Sequence, residues 1–363
     1  MITVTVPFMP PLNEYQERVK SIWDRHWLTN HGPLVTELEH QLRAFLGVPH
    51  ISYVSNGTIA LQIGLRALEV TGEVITTPFS YVATTSSILW EHCEPVMVDI
   101  RPDTLNIDPD KIEAAITERT TAILAVHVFG NPCEVERLTE IARRHRLRLI
   151  FDAAHAFGVT YKGRSVFAYG DASIASFHAT KLFHTVEGGA VVSQDPAVAR
   201  QVSLLRNFGH TSPTSFEVVG INGKNSELHA AMGLCNLQYV PSIIARRRLL
   251  SARYNSNLTG AMIRRPTISS DCQYNYAYYP AIFESEAVLH QVLDTLAEKN
   301  VCPRRYFYPS LSSLPYLKRS HFTPVCDDIA SRILCLPLYH TLSVDDVDMI
   351  CDAIVSVTEC ITA

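Results

Sequence analysis

Ser176-Phe177-His178-Ala179-Thr180-Lys181, and after it Glu187-Gly188-Gly189-Ala190, put a lysine between two short apolar runs. The glycine pair opens the second run. Upstream, Leu149-Ile150-Phe151 ends in Asp152, within Asp152-Ala153-Ala154-His155. An acid at the end of one strand and a lysine after a second are the two groups that pyridoxal phosphate chemistry needs. The acid partners the pyridinium nitrogen, and the lysine amine forms a Schiff base with the aldehyde. Taken singly, an aspartate at a strand end is often a helix cap. A lysine between apolar stretches is usually a surface residue whose stem lies on them. The two together, with the residues below, point to chemistry.

A cofactor phosphate needs its own seat. Ser55-Asn56-Gly57-Thr58 lies between an apolar strand and an amphipathic helix. Free N–H groups and the positive end of the helix dipole suit an anion there, and Gly57 lets the backbone approach closely. Such a turn alone is more often only a cap. Ser176, shortly before Lys181, could add a hydroxyl to the same phosphate. Tyr81 follows Pro78-Phe79-Ser80 at another strand end and could stack on a flat ring, although a lone tyrosine there is more often packing.

The elements that must position these residues alternate along the chain. Helices are expected over Asn13–Trp27, Thr36–Leu46, Thr58–Leu68, Tyr81–Glu91, Pro109–Ala115 and Glu134–His145. Strands are expected over His50–Val54, Glu73–Thr77, Glu94–Asp99, Thr121–Val126 and Arg148–Asp152. Short apolar strands alternating with amphipathic helices mark an α/β fold, with a mostly parallel sheet covered on both faces. After about Val240 the character changes. A long helix over Ile244–Asn257, a strand over Tyr274–Phe283, and helices over Ser285–Lys299 and Ser343–Val357 read as a small α+β domain. The expected division is residues 1–243 and 244–363.

Composition excludes other classes. In 363 residues, 47% are hydrophobic and 18% charged, as in a globular protein of up to two domains. A formal charge of -5 and no basic run give no reason to expect nucleic acid. The nine cysteines are odd in number, scattered and without a C-x-x-C pair, so they read as reduced core residues of a cytoplasmic enzyme. No metal site, signal peptide or membrane span is expected.

Five segments in order carry a family likeness: Thr29-Asn30-His31-Gly32-Pro33, Asp152-Ala153-Ala154-His155, Ser176 to Lys181, Glu187 to Ala190, and Gly220-Ile221-Asn222-Gly223-Lys224-Asn225-Ser226-Glu227. Together they resemble the DegT/DnrJ/EryC1/StrS family of pyridoxal phosphate-dependent nucleotide-sugar aminotransferases. The resemblance runs from about Thr5 to the segment Leu334 to His340. It implies the aspartate aminotransferase fold (type I), with a large mixed, mostly parallel sheet domain and a small C-terminal α+β domain. It implies that Lys181 is the Schiff-base lysine and Asp152 the ring-nitrogen acid. Gly57, Thr58 and Ser176 match phosphate contacts, and Tyr81 the stacking aromatic. His155 stands where many members place glutamine near the ring oxygen. Lys224, with Asn222 beside it, matches a position reaching the phosphate of the other subunit, which implies a homodimer with shared sites. Thr29 and Tyr308 are expected at the substrate. Asn225 stands where methionine or leucine is usual.

The implied reaction is a transamination in two half-reactions at one site, with L-glutamate as donor and a keto sugar as acceptor, hence ping-pong kinetics. Ser-Phe-His-Ala-x-Lys with Glu-Gly-Gly is similar to members acting on 4-keto sugars, whereas 3-keto members more often read Ser-Phe-Tyr-Pro-x-Lys with Asp-Gly-Gly. The expected acceptor is dTDP-4-keto-6-deoxy-D-glucose. A UDP-linked 4-keto sugar or a 3-keto dTDP-sugar is the alternative. Tyr306-Phe307-Tyr308 could border the sugar or be core packing. A sugar dehydratase of the same fold would carry histidine in place of Lys181, and a non-catalytic regulator should have lost Asp152 or Lys181.

Overall fold

The computed structural model describes residues 1–360; residues 361–363, which close the expected C-terminal domain, lie outside it. A seven-stranded sheet dominates, in the spatial order His50–Val54, Gly189–Ser193, Ala172–Ser176, Arg148–Asp152, Thr120–Val126, Glu73–Thr76, Glu94–Met97. Gly189–Ser193 is antiparallel to both of its neighbours, and the other pairs are parallel. Val74, Ile75, Ala122 to Val126 and Leu149 to Asp152 are buried. Continuous burial is what a parallel strand covered on both faces requires.

Helices α1 (Leu12–Arg25), α2 (Pro33–Leu46), α3 (Gly57–Ala67), α4 (Val82–Trp90), α5 (Val135–His145), α6 (Pro196–Leu205) and α7 (Glu227–Leu237) belong to this half of the chain. α3 packs on strands Ala172–Ser176 and Gly189–Ser193. Helix α8 (Val240–Asn257) joins two cores: Val240 and Ile243 sit in the core around the large sheet, Leu250 and Tyr254 in a second one. The second core gathers α9 (Glu286–Glu298), α11 (Val344–Cys360) and a three-stranded antiparallel sheet of Ile263–Arg264, Tyr279–Phe283 and Ile333–Leu336. Ile2–Thr3 pairs with Val301–Cys302. Helix α10 (Pro324–Arg332) is held to the large sheet from outside its own sequence neighbourhood. Its first amides, Val325 N and Cys326 N, donate to the buried Asp99 carboxylate at 3.1 and 2.9 Å.

Two elements differ most from expectation. The strand expected over Tyr274–Phe283 begins only at Tyr279. Tyr276 is left-handed at φ 53, and buried Asn275 turns its amide to the carbonyls of His155 and Phe157 at 2.9 and 3.0 Å. Those bonds hold the chain out of the sheet. The helix expected over Pro109–Ala115 is two 3-10 turns, Pro109–Lys111 and Glu113–Ala115. Among the described side chains the eight cysteines from Cys93 to Cys351 are unpaired, and among the described residues no helix is long and apolar enough to cross a membrane and no cluster of three His, Cys, Asp or Glu could hold a metal.

Candidate active site

In an open parallel sheet, ligands collect beyond the carboxyl ends of the strands. Asn56, Ser80, Asp152 and Ser176 all lie at or just past such ends, and the antiparallel strand begins at the same edge with Gly189. Gly189 pairs with both Val54 and Ser176. The loop 177–188, carrying Lys181, therefore leaves and re-enters the sheet at neighbouring positions. Phe177 N donates to Gly188 O at 2.8 Å, and Lys181 N to His178 O at 2.8 Å, which sets the lysine.

One cavity of about 520 Å³ is lined by Gly57, Thr58, Tyr81, Asp152, His155, Ser176 and Lys181. Seven of the expected site residues thus meet in one place. Asp152 is buried; its Oδ2 accepts from Thr84 Oγ1 at 2.9 Å and its Oδ1 from Ala154 N at 3.1 Å. Burial raises its pKa, while the Ala154 and Thr84 donors and the Lys181 charge pull it back. Burial lowers the Lys181 ammonium to about 8, against the attraction of Asp152 and with the repulsion of Arg304. Burial also holds His155 neutral, its pKa well below the usual value, with Lys181 adding to the effect. The ring of His155 lies nearly parallel to those of Phe129 and Phe307, 8° from each.

At the phosphate end, Asn56 Oδ1 accepts from Ile59 N at 2.8 Å, capping α3. A Cβ on Gly57 would stand 2.9 Å from Ser176 Cβ, and one on Gly189 would stand 2.7 Å from Gly57 N. Side chains at either position would fill the cradle. These residues fit pyridoxal phosphate: a tight turn at a helix start for the phosphate, a buried acid, an enclosed amine, and His155 Nδ1, buried with no hydrogen-bond partner among the described residues.

Other expected residues lie elsewhere. Lys224 lines a second cavity with Asn30, His31, Arg206, Phe208 and Asn225, its ammonium 4.7 Å from the Phe208 ring centroid. Exposed Asn222 bridges to Asn207, a residue of that cavity. Thr29 is exposed, immediately before Asn30 and His31. Tyr308 is half exposed and stacks under Arg305, 3.5 Å from its guanidinium, whereas Tyr306 and Phe307 line the first cavity. Asn225 has a structural role. Its Nδ2 donates to Tyr53 OH at 3.0 Å and Glu187 O at 2.9 Å, and its Oδ1 accepts from Ser226 N at 2.8 Å.

Sequence reasoning missed Ser80, Thr84 and Arg304. Arg304 reaches the cavity because its backbone exchanges two hydrogen bonds with Cys335, 3.1 and 2.8 Å long. The doublet Arg304-Arg305 before the aromatic cluster was the available signal.

The sequence profile of the DegT/DnrJ/EryC1/StrS aminotransferase family matches residues 12–355. The chain belongs to that family. This aminotransferase is 41% identical over 355 residues to the dTDP-4-amino-4,6-dideoxy-D-glucose transaminase of Escherichia coli, covering 94% of this chain and 95% of the relative. It is 43% identical to the enzyme of the same name from Shigella dysenteriae, covering 97% and 98%. The structure of DesI in the presence of its TDP-sugar product superposes with a TM-score of 0.93 at 36% identity, covering 99% of this chain and 93% of that one.

Proposed function

We propose that this aminotransferase uses pyridoxal phosphate to move an amino group from L-glutamate to C4 of a nucleotide-linked 4-keto-6-deoxy sugar, dTDP-4-keto-6-deoxy-D-glucose above others. The observation that carries the chemistry is an amine held near 8 beside a buried acid, in one cavity with a helix N-terminus cleared by glycine. The sugar rests on the relatives named for dTDP-4-amino-4,6-dideoxy-D-glucose.

When bound, pyridoxal phosphate supplies a carbonyl that takes the donor's nitrogen and a ring that accepts the electron pair left on the donor's α-carbon. Lys181 Nζ covers both proton steps. A group near 8 could take a proton from the donor's α-carbon and give one to the cofactor carbon on the other side of the donor's nitrogen without leaving the neutral range. Asp152 would set negative charge against the ring nitrogen. Gly57, Thr58 and Ser176 would hold the phosphate, Tyr81 would pack on the ring, and neutral His155 would offer a nitrogen to the ring oxygen. The Arg304 guanidinium, 4.1 Å from the Tyr306 ring centroid, offers a cation to the donor's carboxylate or the sugar's diphosphate.

The enzyme works as a cytoplasmic homodimer in this reading. Lys224 and Asn222 serve the partner's cofactor phosphate, Thr29 goes with their cavity, and Tyr308 borders the sugar. Their placement outside the Lys181 cavity supports this division. Holoenzyme whose cofactor absorption is bleached by L-glutamate and restored by the 4-keto dTDP-sugar bears the proposal out. Restoration only by UDP-linked or 3-keto sugars corrects the acceptor, and indifference to glutamate overturns the transaminase reading.

A further inference from the structure

Asp152 is served by a chain of hydroxyls. Ser80 Oγ and Thr84 Oγ1 are 2.7 Å apart, and Thr84 Oγ1 is 2.9 Å from Asp152 Oδ2. Thr84 is 0% exposed, so water does not compete for its hydroxyl. A hydroxyl has one proton to give. While Asp152 is an anion it can only accept, so the Thr84 proton goes to the carboxylate. Ser80 must then donate to Thr84. The polarity Ser80 to Thr84 to Asp152 is forced.

That direction holds only for the ionised acid. A protonated Asp152 could itself donate to Thr84 Oγ1, and the chain would reverse. Burial favours the neutral acid, and the Thr84 and Ala154 donors oppose it. Those two donors take one lone pair on each carboxylate oxygen and leave the others for the cavity. Ser80 and Asp152 line the cavity, whereas Thr84 stands behind them.

We infer that Thr84 is a positioning residue, which keeps Asp152 ionised and aims it at the cofactor's ring nitrogen, with Ser80 fixing the direction of its hydroxyl. This rests on the reading that pyridoxal phosphate occupies the cavity. Because Ser80 adjoins Tyr81 and both line the cavity with Asp152, one turn would serve both the acid and the aromatic that would hold the ring.

The test is the protonation state of the ring. Wild type, Thr84→Val, Thr84→Ser and Ser80→Ala are loaded with pyridoxal phosphate labelled with 15N in the ring, and the nitrogen resonance is recorded beside kcat. Wild type should show the pyridinium position. Thr84→Val should move toward neutral pyridine and lose roughly tenfold to a hundredfold in kcat, as for a lost charge-assisted hydrogen bond. Thr84→Ser should restore both, and Ser80→Ala should fall between. If Thr84→Val does not fold, Ser80→Ala carries the test, with a partial move expected. An unchanged resonance in Thr84→Val, or in Ser80→Ala where that variant stands in, overturns the inference alone. So does Thr84→Ser as impaired as Thr84→Val, which would make the contact one of methyl packing. A wild-type protein that takes up no pyridoxal phosphate overturns the cofactor reading and this inference together.

Discussion

The two charges around Lys181 act in opposite directions, so their removal should separate the capture of the cofactor from turnover. Asp152 raises the lysine's pKa and Arg304 lowers it, on top of a larger lowering by burial. From an ordinary 10.5, the net position is about 8. At pH 7 about a tenth of such lysines are neutral, against about one in 3,000 of ordinary ones, a gain of roughly 300-fold in reactive amine. Asp152→Asn removes the attraction and drops the midpoint below 8. Only about a tenfold further gain remains before every amine is neutral, so capture at pH 7 accelerates by up to about tenfold. Turnover should meanwhile fall by roughly a hundredfold or more, because an amide cannot hold the ring's charge. Arg304→Gln moves the midpoint the other way, above 8. Stopped-flow absorbance of apoprotein mixed with saturating pyridoxal phosphate, run across pH, reads the midpoint directly. A wild-type midpoint near that of an exposed lysine, or an upward move in Asp152→Asn, refutes the reasoning.

Gly57→Ala should weaken pyridoxal phosphate about tenfold or more, measured by equilibrium dialysis, since its Cβ would press on Ser176 at 2.9 Å. Asn225→Leu should cost about 1–3 kcal/mol in urea unfolding, because it takes a donor from the buried Tyr53 hydroxyl and the Glu187 carbonyl. Mixing inactive Lys181→Ala with impaired Lys224→Ala subunits should restore part of the activity, since a mixed dimer owns one site with both lysines; a fully active, cofactor-saturated monomer in sedimentation refutes the shared site.

Strands His50–Val54 and Arg148–Asp152 have the bounds read from sequence because each is a short apolar run ended by a polar residue. The same ends present Gly57 and Asp152, so the centre of the site was legible with them. Lys181 was legible because the glycine pair behind it marks where the chain re-enters the sheet. Helix α8 begins at Val240 rather than Ile244 because Pro241 occupies its first turn, where a missing N–H costs nothing. Thr84 was not legible. It stands in Thr84-Thr85-Ser86-Ser87, and only the path of the strand toward Asp152 singles out one hydroxyl. For Arg304 the doublet Arg304-Arg305 was the local signal, but its place in the cavity needs the pairing with Cys335, a contact between distant stretches.

Helix α8 enters both cores, and Arg304 pairs with Cys335 on a strand that alternates between them, Ile333 and Cys335 in the first and Leu334 and Leu336 in the second. The charge that lowers Lys181 is thus anchored where the two cores meet. Charge repulsion depends on separation. A packing change at that seam, far from Lys181 in sequence, would therefore reach the lysine's proton affinity through the position of one guanidinium.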